Sequence, residues 1–432
     1  MTRSTVRPCP PRYRRAVPPA ALVLSLVAAL LLGGATPAVA LAKPVVNGPV
    51  FNDPRGTAAQ QKAIFTQLVR LIDATPARAQ IRGSMYEFRD QEVAGALLAA
   101  HRRGVDVRLV VDDSTYVDPN GVEYANAAYQ SLRAGLGTND AARSWVVVCD
   151  DRFEDADHVD DVRRGCLAVA PPAPAYSHNK FFVFSRIGPF DDGTSYSKVV
   201  FQTSSNLSDW YKVESFNDSV TFSDTAVYDA YAWYHEQLRQ GRYLPGGRNN
   251  AYFSTPVGAT YRGFFFPRGD SSYYNPATDT VVNVLNELGC AYTGTDGQRH
   301  RTNVRIVMHY FYGSRIQVAD RLAGLRGSGC AIDVVYAESD NRITSRLTAA
   351  GVRHRRCRIP NGPGIDVRPH NKLILIDGGF KGDASPRVYT GSANLTGSSL
   401  RSADEAIVQI RSASYHAQYV AAFNKIRSAC GG

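Results

Sequence analysis

Two short sets of residues in this chain have the types and spacing to handle a phosphate. The first is His178-Asn179-Lys180, followed by Thr203-Ser204-Ser205-Asn206; the second is His370-Asn371-Lys372, followed by Gly391-Ser392-Ala393-Asn394. Each set opens an apolar run that reads as a strand, Phe181-Phe182-Val183-Phe184 or Leu373-Ile374-Leu375-Ile376. Side chains alternate across a strand, so the His and Lys, two apart, share a face. The Asn comes at the end of the next apolar run, Val199-Val200-Phe201 or Arg387-Val388-Tyr389. Two neighbouring strands thus bring one His, one Lys, one Ser and one Asn together. A cation and neutral donors suit phosphate oxygens, and an imidazole suits nucleophilic attack or proton transfer.

The surrounding periodicity says what must position these residues. Helices are expected over Gln61–Ile72, Gln91–Arg103 and Ala125–Leu136, with strands over Ala79–Phe88, Val105–Val111 and Trp145–Val148. Ser219–Phe222 continues the sheet and a helix follows over Ala226–Leu238. The second half repeats the plan. Helices are expected over Thr278–Leu288, Ile316–Leu325, Arg342–Ala350 and Ser414–Arg427, and strands over Asn303–Tyr310, Ala331–Tyr336, Val352–Cys357 and Glu405–Ile410. This alternation predicts an α/β fold of two duplicated halves, each a mainly parallel or mixed sheet flanked by helices. Gly104–Ser114 lies in register over Gly329–Ser339, so the halves read as a duplication. The first half carries an extra acidic segment between Cys149 and Cys166, whose spacing does not fit a calcium loop.

Residues 1–40 stand apart. Arg3, Arg7, Arg12, Arg14 and Arg15 precede an apolar run from about Ala20 to Leu32, with small residues at Ala38-Val39-Ala40. This is the pattern of a cleavable export signal. The expected division is 1–40 signal, 43–245 first half and 246–432 second half, with the protein secreted. Removing five arginines from a net charge of +10 leaves about +5. That mild excess favours anionic lipid or nucleic acid without choosing between them. Six cysteines remain after the leader, which in an exported chain suggests disulfides, Cys149 with Cys166 first. His354 and Cys357 lack a second ligand pair for zinc.

The doubled His-x-Lys and (Gly/Thr)-Ser-x-Asn pattern resembles the phospholipase D superfamily, over essentially the whole mature chain. The resemblance implies halves packed about a pseudo-twofold axis with one shared site. It implies a phosphohistidine on His178, with His370 as general acid and then base. Lys180, Lys372, Asn206 and Asn394 would hold the non-bridging oxygens, with the hydroxyls of Ser204 and Ser392 and the amide of Asn217 at the substrate. A carboxylate near Glu405 is expected to bond a catalytic imidazole. Its register partner is Asn217, whose amide oxygen accepts the same bond without charge. No metal and no cofactor are expected, because lysines and amides take their place.

The family pattern His-x-Lys-x4-Asp is complete in the second copy, at Asp377, but Ser185 stands in the first. Position +7 faces away from the His and lies about 23 Å along a strand, at ~3.3 Å per residue. It is therefore expected to cap the strand end. Aromatic loops at Trp210-Tyr211, Phe264-Phe265-Phe266 and Tyr273-Tyr274 either line an acyl channel or fill the core. Tyr86, His309 and Tyr310 end strands where α/β sites commonly lie. The expected activity is hydrolysis of glycerophospholipids such as phosphatidylcholine, at a membrane or micelle surface, by a monomer with no obligatory protein partner. Nucleic acid is the substrate under the alternative reading, a metal-independent nuclease. A third reading is a phosphate- or lipid-binding module with a decayed first half.

Overall fold

A computed structural model describes residues 43–117, 124–149, 165–169, 175–242, 247–258, 260–294 and 296–431. The leader, the acidic residues of 150–164 and the division at 245/246 lie outside the described residues.

Each half is built around one mixed sheet. In the first, the strand order is Gly48–Phe51, Asp218–Ser223, Tyr196–Thr203, Lys180–Ile187, Gln80–Met85, Asp106–Val111, Trp145–Val148. Only the last three pair in parallel; every other neighbour is antiparallel. In the second, the order is Phe253–Ser254, Tyr261–Phe265, Ala406–Arg411, Arg387–Gly391, Lys372–Asp377, Asn303–Phe311, Ala331–Ser339, Arg353–Arg356. Again only the last three are parallel. The sheets are therefore mixed rather than mainly parallel. The motif strands follow one another through short hairpin connections, and such neighbours run antiparallel.

Local chemistry sets the helix ends. Gln91–Arg102 starts at Asp90, whose carboxylate accepts the Val93 N–H at 2.8 Å, and Gly104 follows it at φ +90°. Such a cap contributes about 1 kcal/mol. The helix expected over Gln61–Ile72 is two pieces, Ala58–Gln61 and Ala63–Asp73, the first with a Thr57 and Gln60 capping box. The helix expected over Thr278–Leu288 is shorter, Thr280–Asn286. It is capped by Asp279, and the chain then leaves to pair Leu288 with Phe380.

The motif strands are apolar on both faces because both are covered. Phe181, Val183 and Val200 meet Leu373, Leu375 and Val388 in a core shared by the two halves. Phe182, Phe184 and Phe201 pack under the first half's helices, and Ile374, Ile376 and Tyr389 under the second's. Phe264, Phe265 and Phe266 also belong to these cores, so they are not a loop at the motifs. Both sheets lie within one unit, Leu41–Gly432.

Two short parallel pairings cross between the halves immediately before each motif. Tyr176–Ser177 pairs with Ala403–Asp404, and Arg368–Pro369 with Ser215–Phe216. Three disulfides join Cys149 to Cys166, Cys290 to Cys330 and Cys357 to Cys430. The first is the pair expected from sequence, and the last rules out Cys357 as a free ligand.

The Ser185 hydroxyl oxygen accepts the Gln80 N–H at 2.8 Å, and Asp377 accepts from the Tyr292 hydroxyl at 2.9 Å. Both residues tie down strand ends remote from the histidines. Ser185→Asp is therefore expected to change kcat by less than about tenfold, or ~1.4 kcal/mol of barrier. Steady-state kinetics of the variant check this, and a larger rise would show that position +7 reaches the chemistry.

Candidate active site

The geometry of the site follows from the crossing strands. The His178 N–H donates to the Asp404 carbonyl at 2.9 Å, and the His370 N–H to the Phe216 carbonyl at 2.8 Å. Each motif histidine is thus bonded through its backbone to the opposite half, one residue before that half's register acid or amide. The side chains follow the same crossing. His178 Nδ1 lies 3.0 Å from both oxygens of Glu405, and His370 Nδ1 lies 3.1 Å from Asn217 Oδ1. Carboxylate and amide oxygens accept, so each Nδ1 carries the proton and each Nε2 keeps its lone pair.

The orienting residues are themselves held. Asn217 Nδ2 donates to Ser215 Oγ at 2.8 Å, which turns its oxygen towards His370, and Ser204 Oγ donates to that oxygen at 3.0 Å. Ser392 Oγ accepts the Ala406 N–H at 3.0 Å, fixing the chain beside Glu405. Ser204, Ser392 and Asn217, expected at the substrate, therefore sit beneath the imidazoles with their bonds made inside the protein. Asp218 turns to the other strand face and accepts from Asn371 Nδ2 at 2.7 Å and from Thr390. It fixes the residue between His370 and Lys372.

The lysines are buried with little to pair with. Lys180 Nζ donates to the His178 carbonyl at 2.9 Å and lies 5.2 Å from the Tyr86 ring centre. Lys372 Nζ donates to the His370 carbonyl at 2.6 Å and is 3.1 Å from each ring nitrogen of His370. The buried Asn206 amide has neither its nitrogen nor its oxygen in a protein hydrogen bond. Asn394 accepts the Tyr310 N–H at 3.3 Å through its oxygen. Buried donors of this kind call for an anionic partner.

Burial also sets the protonation. It pulls His178 down to about 4, with Glu405 opposing and Lys180 adding to the fall. It pulls Lys180 down to about 7 against the pull of Glu405. Burial, then the charge of Lys372, hold His370 well below its ordinary value. Burial, then Lys180, do the same to Lys372. Burial pushes Glu405 up, but His178 and Lys180 outweigh it and keep the carboxyl ionised. A phosphate anion would oppose the positive charge that depresses the second imidazole, and so would raise the affinity of His370 for a proton.

Aromatic rings wall the site unequally. Tyr86 and Tyr176 stand 4.8 and 5.5 Å from the His178 ring. Around His370 stand His309 at 4.6 Å, Tyr211 at 4.9 Å and Trp210 at 6.0 Å. His309 and Tyr86 hold matching positions, each donating its N–H to the Asn of a motif, Asn371 or Asn179. Tyr176 was not singled out by sequence; its place two residues before His178, on the same strand face, was the available signal. Tyr273 and Tyr274 lie apart on the 270s loop, Tyr273 against Gly397 of the helix that follows Asn394.

A family model described as "Cardiolipin synthase, PLD-like domain" matches residues 68–239 and 298–427. The two segments each hold one His-x-Lys and its Ser-x-Asn. The chain belongs to this family, within the phospholipase D superfamily, and so to a class of phosphodiesterases. No curated protein matches it in sequence. Among solved structures it is similar to phosphatidylserine synthase of Haemophilus influenzae, with 11% identity over 90% of this chain and 87% of that one, at a TM-score of 0.51. It is also similar to polyphosphate kinase of Porphyromonas gingivalis, with 12% identity over 87% of this chain and a TM-score of 0.48; it spans only 49% of that chain. A phospholipase D family member, Nuc of Salmonella typhimurium, matches 39% of this chain and 94% of its own, with 16% identity and a TM-score of 0.27.

The protonation pattern has a measurable consequence. In the free protein, His178 is neutral above about 4 and Lys180 charged below about 7. On a phosphodiester, which does not itself titrate in this range, kcat/KM is expected to rise through the first value and fall through the second. Glu405→Gln, by removing the carboxylate that holds Lys180 up against burial, is expected to shift the alkaline limb downward. A wild-type profile flat from pH 4 to 9 would contradict this assignment.

Proposed function

We propose that the protein is a secreted phospholipase D that hydrolyses glycerophospholipids to phosphatidic acid and the head-group alcohol. The observation that carries the reading is the pair of crossed imidazoles, each held at Nδ1, beside two buried and under-paired lysines. His178 Nε2 attacks phosphorus and forms an N–P bond. The P–O bond to the head group breaks, and His370 passes its proton to the departing oxygen. His370 then takes a proton from water, whose oxygen attacks phosphorus, and the N–P bond breaks to return His178. Lys180, Lys372, Asn206 and Asn394 stabilise the non-bridging oxygens as charge moves onto them. Glu405 orients His178 and balances the charge that develops on it. Asn217, Ser204 and Ser392 act as positioning residues. The residues present suffice for this without a metal.

The apolar rim favours a lipid. Val213 and Ile365 are among the few exposed large apolar side chains of the described residues. Val213 ends the Trp210–Val213 helix beside His370, and Ile365 precedes the strand that leads into it. Side chains of this kind suit contact with a membrane or micelle. Secretion is supported by the three disulfides, and no described helix is long and apolar enough to cross a membrane. The chain is proposed to act as a monomer with no protein partner, because both motifs come from one chain.

Any alcohol that reaches the phosphohistidine can replace water. Purified mature protein on phospholipid micelles with ethanol is therefore expected to give phosphatidylethanol beside phosphatidic acid, with turnover unchanged in excess chelator. Salt-sensitive nicking of plasmid DNA with no phosphatidyl product would make the nuclease reading correct. Binding of lipid or phosphate without turnover would instead leave the decayed-half reading.

A further inference from the structure

The two sides of the site differ in charge. Arg368 stands two residues before His370, on the strand Asp366–Pro369. Alternation puts it on the same face as His370, while Val367 turns into the shared core. Its guanidinium lies 5.6 Å from the Trp210 ring centre, and that ring is itself 6.0 Å from the His370 ring. The matching position before His178 is Tyr176, whose hydroxyl meets Ser398 Oγ at 3.0 Å. A cation therefore stands on one side of the site and a phenol on the other.

Arg368 is also left under-paired by its neighbours. Glu338 accepts from Arg356 at 2.6 Å and from Arg358, and Arg358 further reaches Asp366 at 3.3 Å. Arg368 Nη1 comes no nearer to Glu338 than 3.9 Å, and its buried Nε has no partner. Three guanidiniums thus share two carboxylates, and the one left over faces the site.

We propose that Arg368 forms a second anion subsite on the leaving-group side, so that the preferred phospholipid is one whose head-group alcohol itself carries a negative charge. This rests on the phospholipase D reading above. With the phosphoryl group on His178, the alcohol departs towards His370, and so past Arg368. A carboxylate or phosphate on that alcohol completes the guanidinium's bonding. A quaternary ammonium there meets a cation already occupying the Trp210 face, and is repelled.

The test uses the mature protein and lipids dilute in neutral detergent micelles, so that surface charge stays constant. The ratio of kcat/KM for phosphatidylserine over phosphatidylcholine is expected to exceed about ten in the wild type. Arg368→Gln is expected to lower that ratio about tenfold or more, with Arg368→Lys between. A second readout needs no turnover of lipid. Inorganic pyrophosphate is expected to bind more tightly than inorganic phosphate, measured by calorimetry, and Arg368→Gln to erase the difference. Unchanged ratios in Arg368→Gln, or equal losses on both lipids and both anions, would overturn the proposal. If the wild type cleaves DNA and neither lipid, the lipid reading fails, and the pyrophosphate-to-phosphate ratio alone decides on Arg368.

Discussion

The crossing of the two halves at the histidines is the constraint on which the rest depends. His178 belongs to the first half, but its imidazole is held by Glu405 and its backbone N–H by Asp404, both from the second. His370 belongs to the second, and Asn217 and Phe216 of the first hold it in the same two ways. Neither half alone contains an oriented imidazole. Removing Glu405 would leave the buried imidazole N–H of His178 without its acceptor, at a cost of about 1–3 kcal/mol. The shared core of Phe181, Val183, Leu373 and Leu375 lies directly beneath, so that burial of apolar surface and orientation of the site are one event.

The same enclosure sets an electrostatic tension. Lys180 and Lys372 lose hydration and gain little in return, and both are pulled well down from their ordinary values. A phosphate relieves them. The substitution of Asn for a carboxylate at 217 breaks the symmetry of the duplication. The imidazole backed by Glu405 is suited to carry positive charge and phosphoryl. The one backed by a neutral amide releases its proton more readily. Under the proposed mechanism, two similar motifs take different tasks from this one difference behind them.

Much of this was legible in the sequence, for identifiable reasons. Strand alternation is local, so His178 and Lys180 on one face follow from spacing. Glu405 and Asn217 could be paired by register as imidazole partners. That Glu405 serves the His of the other half could not, since it depends on how the sheets meet. Ser204 and Ser392 were assigned to the substrate, whereas the fold turns them inward to Asn217 and to Ala406. Phe264–Phe266 looked like a loop because three aromatics in a row carry no period; tertiary packing makes them a strand and core. Strand–helix alternation left a mainly parallel or a mixed sheet open; the sheets are mixed, because the motif strands are joined without helices and run antiparallel.

The division of labour between the histidines is tested most directly by trapping the covalent intermediate. His370→Asn leaves the nucleophile and removes the group that releases it. On rapid quenching with a phosphodiester bearing a good leaving group, mass spectrometry of this variant should find a single phosphoryl adduct on His178. Glu405→Ala in the same background should sharply lower its yield. An adduct on another residue, or a His178→Asn protein that retains near-normal turnover, would contradict the assignment of one shared site with His178 as its nucleophile.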